Sequence, residues 1–323
     1  MKNAVITFGY HDQSAPRHWN MVRKWKAHGT QVLECHTTKK GLIGKYTDLT
    51  GQFRQYKKDT DTVLVTFPGH YLMPLAWFLT RFPRKRLVFD AFISLSDTLV
   101  SDRGKVSWVH PYAWFLYLVD FFSCHMADEV LVDTKAHRDF FIHRFKLRST
   151  RVKVVYLGAR TDVFFPQKTE KNPNRFDVLF YGTYIPLQGI EYIIGAASLL
   201  QGTHPHIQFT LIGSGQTYKH MRTLAERKDV HNVAFQKRVP LTELPERIRG
   251  AHLNLGVFGI SEKTKRVIPH KVYDALACGM HVLTADTPAI HEQFQDNEHL
   301  HLCRAGSATA LAESIARLST EIQ

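Results

Sequence analysis

Short apolar runs alternate with longer amphipathic stretches along almost the whole chain, and this rhythm narrows the possible folds more than any other feature. AVITF (4–8), QVLEC (31–35), VLVTF (63–67), RLVF (86–89), EVLV (129–132) and KVVYL (153–157) read as strands, with amphipathic segments at 16–28 and 73–81 between them. A strand that is apolar throughout is buried on both faces, and its parallel neighbour is reached through a crossover helix. The rhythm stops at PQKTEKNPNR (166–175), a polar stretch with two prolines that reads as a linker. It resumes with DVLFYG (177–182), QFTLIGSG (208–215), NVAF (232–235), LNLGV (253–257), HVLTA (281–285) and HLHLC (299–303). Helical patterns fall at 188–200, 218–228, 241–248, 270–277 and 308–318. No repeat period appears. The pattern predicts an α/β chain of two Rossmann-like, doubly wound parallel-sheet domains, 1–165 and 166–323, facing across a cleft. Ligands in such domains bind outside the carboxyl ends of the strands.

Charge divides the two halves. The 323 residues carry 42 Lys and Arg against 29 Asp and Glu, a net +13. Residues 1–165 hold 25 of the basic and 14 of the acidic residues, so nearly all of the surplus lies there. Such a field attracts nucleic acid, an acidic membrane surface or a phosphorylated substrate. No helix-turn-helix, zinc or single-strand module is recognisable, which disfavours nucleic acid. The segment 106–127 is the most membrane-like, but it contains His110, Pro111, Asp120 and His125, too polar for a span of about 20 apolar residues. Its aromatics (Trp108, Tyr112, Trp114, Phe115, Tyr117, Phe121, Phe122) read first as core. With PLAWFLTRFPRKR (74–86) and its basic cluster Arg81, Arg84, Lys85 and Arg86, they also suit a membrane-surface patch. Cys35, Cys124, Cys278 and Cys303 show no paired spacing and read as reduced, buried thiols of a cytoplasmic protein. The apolar start AVITF is too short for a signal peptide.

Strand ends are where chemistry is expected. Gly9, Tyr10, His11 and Asp12 follow the first strand, and Arg17 opens the next helix. Gly69 and His70 follow VLVTF, and His70 suits either an acceptor-side role or a helix cap. Asp90 ends RLVF, with Asp97, Asp102 and Arg103 close behind. A carboxylate at the end of a buried strand is costly unless paired or used, so Asp90 is either functional or a structural cap. In the second half Gly182 and Gly189 bracket one turn, and Gly213 and Gly215 another. Such glycines let a phosphate approach the backbone, but the three-glycine dinucleotide fingerprint is incomplete.

The densest constellation is SEKTKRVIPHKVYDALACG (261–279). Pro269 suits a helix start, so His270, Lys271 and Val272 present backbone N–H groups at its positive end, with Arg266 and Lys271 adding charge. Asp274 lies on the same face as His270 and suits a sugar diol. The plainer reading is a basic loop before an ordinary amphipathic helix. Asp59-Thr60-Asp61 spells a metal-diphosphate motif, but it precedes its strand and so lies away from the cleft. The 19 histidines show no zinc spacing. No metal and no cofactor are expected.

The second half resembles family 4 of the retaining glycosyltransferases, which have the two-domain GT-B fold. FYGTYIPLQG echoes its strand-G-R-L-x-x-x-K-G pattern, LIGSG its strand-G-x-G turn, DALACG the end of its E-x7-E helix, and HVLTADTPAIHE its next strand and P-x-x-x-E, ending at Glu292. The first half fits a shorter, divergent branch through FGY, PRHWNMVRKWKAHGTQVLECH, TFPGH and LVFDAFISLSDTLVSDRG. Thr183 and Gln188 stand where the family has its phosphate-binding Arg and Lys. Arg266 stands at the first Glu of E-x7-E and Asp274 at the second, and the family's catalytic His falls near Asp90. Family members continue into a helix that crosses back to the first domain, whereas this sequence ends at Gln323.

The resemblance implies transfer of a sugar from a nucleotide-sugar to an acceptor hydroxyl, in glycan, glycolipid or polysaccharide synthesis. It places the donor base against Arg238 and Val239 and the ribose on Asp274. The diphosphate would meet His270–Val272, Arg266, Lys271, Arg17 and the Gly9 loop, without a metal. Asp90 would orient the acceptor hydroxyl or take its proton. His70, Asp97, Asp102 and Arg103 would line the acceptor side. The implied partners are the donor and a glycan or lipid-linked acceptor. The basic half adds an anionic membrane surface, giving a cytoplasmic, peripheral location. Two alternatives keep the fold: a non-catalytic partner subunit, and a sugar-nucleotide epimerase.

Overall fold

The computed structural model describes residues 4–322. Its contacts divide the chain into two units at Leu157/Gly158, somewhat before the polar linker. Residues 158–165 therefore belong to the second unit: Phe164 is buried, and Arg249 lies 5.5 Å from the Phe165 ring and donates to its carbonyl.

The first unit builds a parallel sheet from β1 (Ala4–Gly9), β2 (Gln31–His36), β3 (Thr62–Val65), β4 (Arg86–Phe92), β5 (Glu129–Val132) and β6 (Val152–Val154), in the order β2-β1-β3-β4-β5-β6. Its helices are α1 (Pro16–Ala27), α2 (Leu42–Tyr56), α3 (Met73–Leu79), α4 (Pro111–Met126) and α5 (Lys135–Phe145). The core centres on Ile6, Phe8, Val65, Phe89, Phe141 and Phe145. The chain reverses direction across the sheet between β1 and β3, the switch point where a crevice opens.

The second unit repeats the plan with β7 (Phe176–Thr183), β8 (Ile207–Ser214), β9 (Val233–Gln236), β10 (Leu253–Leu255), β11 (Val282–Ala285) and β12 (Leu300–Cys303), in the order β12-β11-β10-β7-β8-β9. All pairings are again parallel. Helices α6 (Ile190–Leu200), α7 (Tyr218–Arg227), α8 (Leu244–Gly250), α9 (His270–Ala277) and α10 (Ala308–Glu321) complete it. Here the switch point lies between β7 and β10.

All twelve expected strands form, within a few residues of the expected ends. Helices α2 and α5 have no counterpart among the expected helical segments. Helix α2 carries two glycines and two threonines, and α5 spreads its aromatics around its circumference, so neither shows a clean 3.6-residue stripe. Helix α4 overturns an expectation. The core reading of its aromatics fails for Tyr112, Trp114, Phe115 and Phe122, all exposed, although Phe121 and Tyr117 pack against the core. Non-aromatic residues fill the inward face instead: Ala113, Leu116, Asp120, Ser123 and Cys124.

Gly182 of β7 pairs with Gly213 of β8. Gly213 has φ +146°, and a Cβ there would lie 1.9 Å from the Gly182 carbonyl oxygen. Backbone on both sides leaves nothing to move aside. Gly213→Ala is therefore expected to cost at least about 3 kcal/mol, whereas Gly202→Ala, which meets nothing within 4 Å, should be nearly neutral. Comparing the two variants' urea midpoints with that of the parent checks this.

Candidate functional site

Helix α9 comes after β10 and so starts beside the carboxyl end of β7, at the switch point. Lys271, in its first turn, is 6% exposed. Its Nζ donates to Gln188 Oε1 at 2.6 Å, sits 3.9 Å from the centre of the Phe180 ring, and lies 3.1 Å from where a Gly182 Cβ would be. A side chain on Gly182 would displace the ammonium, and its φ of +155° suits glycine as well. Burial pushes the Lys271 pKa well below that of an ordinary lysine, against an opposing pull from Asp274. The amide of Gln188 is neutral, so the ammonium is hydrogen-bonded to a group that does not compensate its charge.

Asp274 lies one turn on and is also buried. Its Oδ2 accepts from the Tyr181 hydroxyl at 3.1 Å, while Oδ1 has no hydrogen-bond partner. Burial raises its pKa to about 7, with the Tyr181 hydrogen bond and Lys271 pulling the other way. Tyr181 is the last side chain of β7 before its glycine, and its pKa is pushed up by burial and then by Asp274. Tyr181 was not among the expected site residues, although a tyrosine at the end of a buried strand signals that its hydroxyl needs a partner.

Thr183, the last residue of β7, accepts from Arg238 Nη2 at 2.9 Å. The two uncharged residues at the expected cation positions, Thr183 and Gln188, are thus each hydrogen-bonded by a cation from elsewhere, Arg238 and Lys271. Arg266 is half-buried in the short helix Thr264–Arg266 that precedes α9, and Val239 comes next to Arg238 in the same loop. The helix start is less open than expected: the Val272 N–H is taken by the Pro269 carbonyl. Gly189 and Gly215 both lie against backbone, Gly189 on Phe258 and Gly259, Gly215 on Tyr184. Of the expected donor residues, Lys271, Asp274, Arg238 and Gln188 thus meet around the end of β7, beside Gly182, Gly213 and Gly215.

The first unit arranges its candidates differently. Arg17 and Asp90 face each other in the interior: Nε donates to Oδ1 at 2.8 Å and to Oδ2 at 3.0 Å, and Nη2 to Oδ1 at 2.6 Å. Arg17 Nη1 donates to the Val155 carbonyl, and its guanidinium lies 4.8 Å from the Phe92 ring. The expectation that Arg17 neutralises a phosphate and Asp90 serves an acceptor meets a pair that is already neutral. Either role requires the pair to open. Gly9 is held by packing, since a Cβ there would strike the Thr66 hydroxyl and crowd His11.

His70 is buried, and its Nε2 lies 3.4 Å from Asp120. Asp120 was not among the candidates. It accepts from Ser94 Oγ, Ser96 Oγ, Ser96 N and Leu95 N at 2.7–2.9 Å, so it fixes the turn that leads into Asp97–Asp102. A lone carboxylate amid aromatics was the available signal, because such a charge persists only where it is used. Asp97 and Asp102 are buried along this turn, and Arg103 ends it. Among the described residues no group of three or more His, Cys, Asp or Glu is placed to hold a metal ion.

Residues 163–321 match the family described as glycosyl transferases group 1. The chain is similar to the chitobiosyldiphosphodolichol beta-mannosyltransferases of Kluyveromyces lactis, at 21% identity over 90% of the chain and 70% of that protein, and of Eremothecium gossypii, at 24% over 73% and 55%. In three dimensions it is similar to sucrose-phosphate synthase of Thermosynechococcus elongatus (TM-score 0.71, 14% identity, 98% of this chain and 90% of that one). It is also similar to Anabaena HepE in complex with UDP and glucose (TM-score 0.65, 15%, 98% and 89%). The two parallel six-stranded sheets are those of the GT-B fold.

The Asp274 titration has a measurable sign. An unfolded chain loses this proton near pH 4, and the folded chain holds it to about pH 7. Between those values the folded state binds more protons, so this contribution to stability is full at low pH and is lost as pH rises through about 7. Asp274→Asn stays neutral and still accepts from Tyr181. It should match the parent near pH 3 and exceed it by about 2–4 kcal/mol at pH 8. Thermal melts of both proteins over that range test the point, and a pH-independent difference would contradict it.

Proposed function

We propose that this chain, a glycosyltransferase with the GT-B fold, moves a sugar with retention from a nucleoside-diphosphate sugar bound in its second unit to a hydroxyl of a glycan or lipid-linked acceptor. The observation that carries the donor assignment is the buried Lys271 ammonium, held by a neutral amide beside Gly182. A cation in that position gains most from an anion that can reach the glycine-lined end of β7, and a diphosphate is such an anion.

In this reading Lys271 and Arg238 take the places of the cations absent from Thr183 and Gln188, and Arg266 adds to the same field. The free Oδ1 of Asp274 accepts from a ribose hydroxyl. As the bond between the anomeric carbon and the diphosphate breaks, charge builds on the departing oxygen. Fixed cations in a buried site stabilise that charge without reorganisation. They fill the role that a divalent metal would otherwise fill. The new bond forms from the acceptor oxygen on the face the diphosphate leaves. Asp90, once Arg17 releases it, orients that hydroxyl or takes its proton, with His70, Asp97, Asp102 and Arg103 on the acceptor side. The relatives named for a diphosphodolichol-linked substrate support a lipid-linked acceptor, and the basic first unit supports work at an anionic, cytoplasmic membrane face.

The test is calorimetry with UDP, GDP and ADP in the presence of a chelator. One of them should bind with micromolar to millimolar affinity. Lys271→Met keeps the volume and the packing while removing the charge, and should weaken binding about 10- to 100-fold, the worth of a hydrogen bond to a charged group. Unchanged binding would remove Lys271 from the donor site. In the parent, affinity should also fall about thirtyfold between pH 8 and 5.5 as Asp274 takes up its proton, with a smaller fall in Asp274→Asn.

A further inference from the structure

Helix α4 is amphipathic in the wrong sense for a helix that faces water. Its inward face carries Ala113, Asp120, Ser123 and Cys124, while Trp114 (58% exposed), Phe115, Leu118 and Phe122 form a stripe on the outside. The outward spacing of 114, 115, 118 and 122 runs along one side of the helix. Asp120, bound to the Ser94–Ser96 turn and beside His70, fixes which side of the helix faces inward, and the aromatics on the other side are left without a partner in the fold. Helix α3 packs beside α4 and extends the surface with Trp77, Phe78 (71% exposed) and, just past its end, Phe82 (92% exposed). Scattered exposed apolar residues need no explanation, but large aromatics on two adjoining helices form an apolar face of the kind that marks an interaction site.

The basic residues around this face decide which partner fits. Arg81 lies 4.4 Å from the Trp77 ring, and Arg144 lies 4.8 Å from Trp108 and 4.9 Å from Tyr117. Arg84 and Arg86 come soon after Phe82 with half their side chains exposed, paired to Asp128 and Glu129. The surrounding half of the chain holds 25 basic against 14 acidic residues. Guanidinium groups over aromatic rings, with Trp and Phe at the tip, suit the boundary between lipid headgroups and acyl chains. There the rings leave water and the cations stay among phosphates. A second copy of this chain would bring the same positive field against itself, which disfavours it as the occupant. No helix among the described residues is long and apolar enough to cross a membrane, so the face lies along a surface.

We propose that the outer faces of α3 and α4, from Trp77 to Phe82 and from Trp114 to Phe122, dock this chain on an anionic lipid bilayer. The proposal rests on the reading of a lipid-linked acceptor at a membrane face and locates that contact on these two helices.

The experiment is co-sedimentation of the full chain with vesicles of phosphatidylcholine alone or with about one third phosphatidylglycerol, at low and high salt. Parent protein should pellet with the anionic vesicles and much less with the neutral ones, and added salt should weaken the binding. The variant Phe78→Ser/Phe82→Ser/Trp114→Ser/Phe122→Ser alters only exposed side chains and should lose about tenfold or more in partitioning. Circular dichroism and thermal melts of the same samples show that the variant is folded, and their nucleoside diphosphate binding reports on the second unit. That binding also separates this proposal from the donor-site reading, which Lys271→Met addresses. A second measurement leaves folding out: brominated acyl chains should quench tryptophan emission of the parent, and less so in Trp114→Tyr. The proposal is overturned if the parent ignores anionic vesicles, if the fourfold variant pellets as the parent does, or if quenching is the same in Trp114→Tyr. It is equally overturned if the parent is a dimer that the fourfold variant splits while neither binds vesicles.

Discussion

Strand β7 is paired in parallel on both sides, to β8 and to β10, and the second unit is arranged around that constraint. A parallel strand has no hairpin to either neighbour, so one connection must leave over one face and the next over the other. At the carboxyl end of such a strand the helices diverge and leave a crevice. Gly182 and Gly213 bring β7 and β8 close there because neither has a side chain in the way. The helix entering from the other side, α9, then delivers Lys271 over Gly182 and Asp274 onto Tyr181. Backbone hydrogen bonding thus decides where the ionisable groups meet.

Both groups are held where their charged forms are costly. Desolvation lowers the Lys271 pKa and raises that of Asp274, and neither is matched by a full opposite charge. The ion pairs of the first unit look different. Arg17 and Asp90 are equally buried, but they make three hydrogen bonds with each other and leave no net charge. Asp120, 3.4 Å from His70, is saturated by donors of the Ser94–Ser96 turn. Incomplete compensation is what makes Lys271 and Asp274 candidates for binding a ligand, whereas the first unit's pairs would have to open first.

Much of this was legible in the sequence, unevenly. Strand positions were readable because a buried parallel strand is an uninterrupted apolar run, and α9 because Pro269 and Gly279 mark its ends. Helices α2 and α5 were not readable, since tertiary packing stabilises stripes too weak to see in one dimension. Within the site, Lys271 and Asp274 stood out by spacing. Tyr181, Gln188 as the Lys271 partner and Arg238 on Thr183 did not, because these contacts join residues 55 to 93 positions apart. Asp120 was visible as a carboxylate among aromatics but not as the acceptor for the Ser94–Ser96 turn, 24 to 26 residues away.

By itself the sequence determined the class: two runs of βα units with a polar break, a basic first half, and a proline-led, cation-bearing helix start in the second. Those are properties of periodicity and composition, which local chemistry settles. Only the tertiary structure decided which side of α4 faces solvent, that Arg17 and Asp90 cancel each other, and that cations from two other elements stand over Thr183 and Gln188. Each depends on which strands become neighbours. The order of strands in a parallel sheet is set by long crossovers and by the burial of whole faces, which no short stretch of sequence contains.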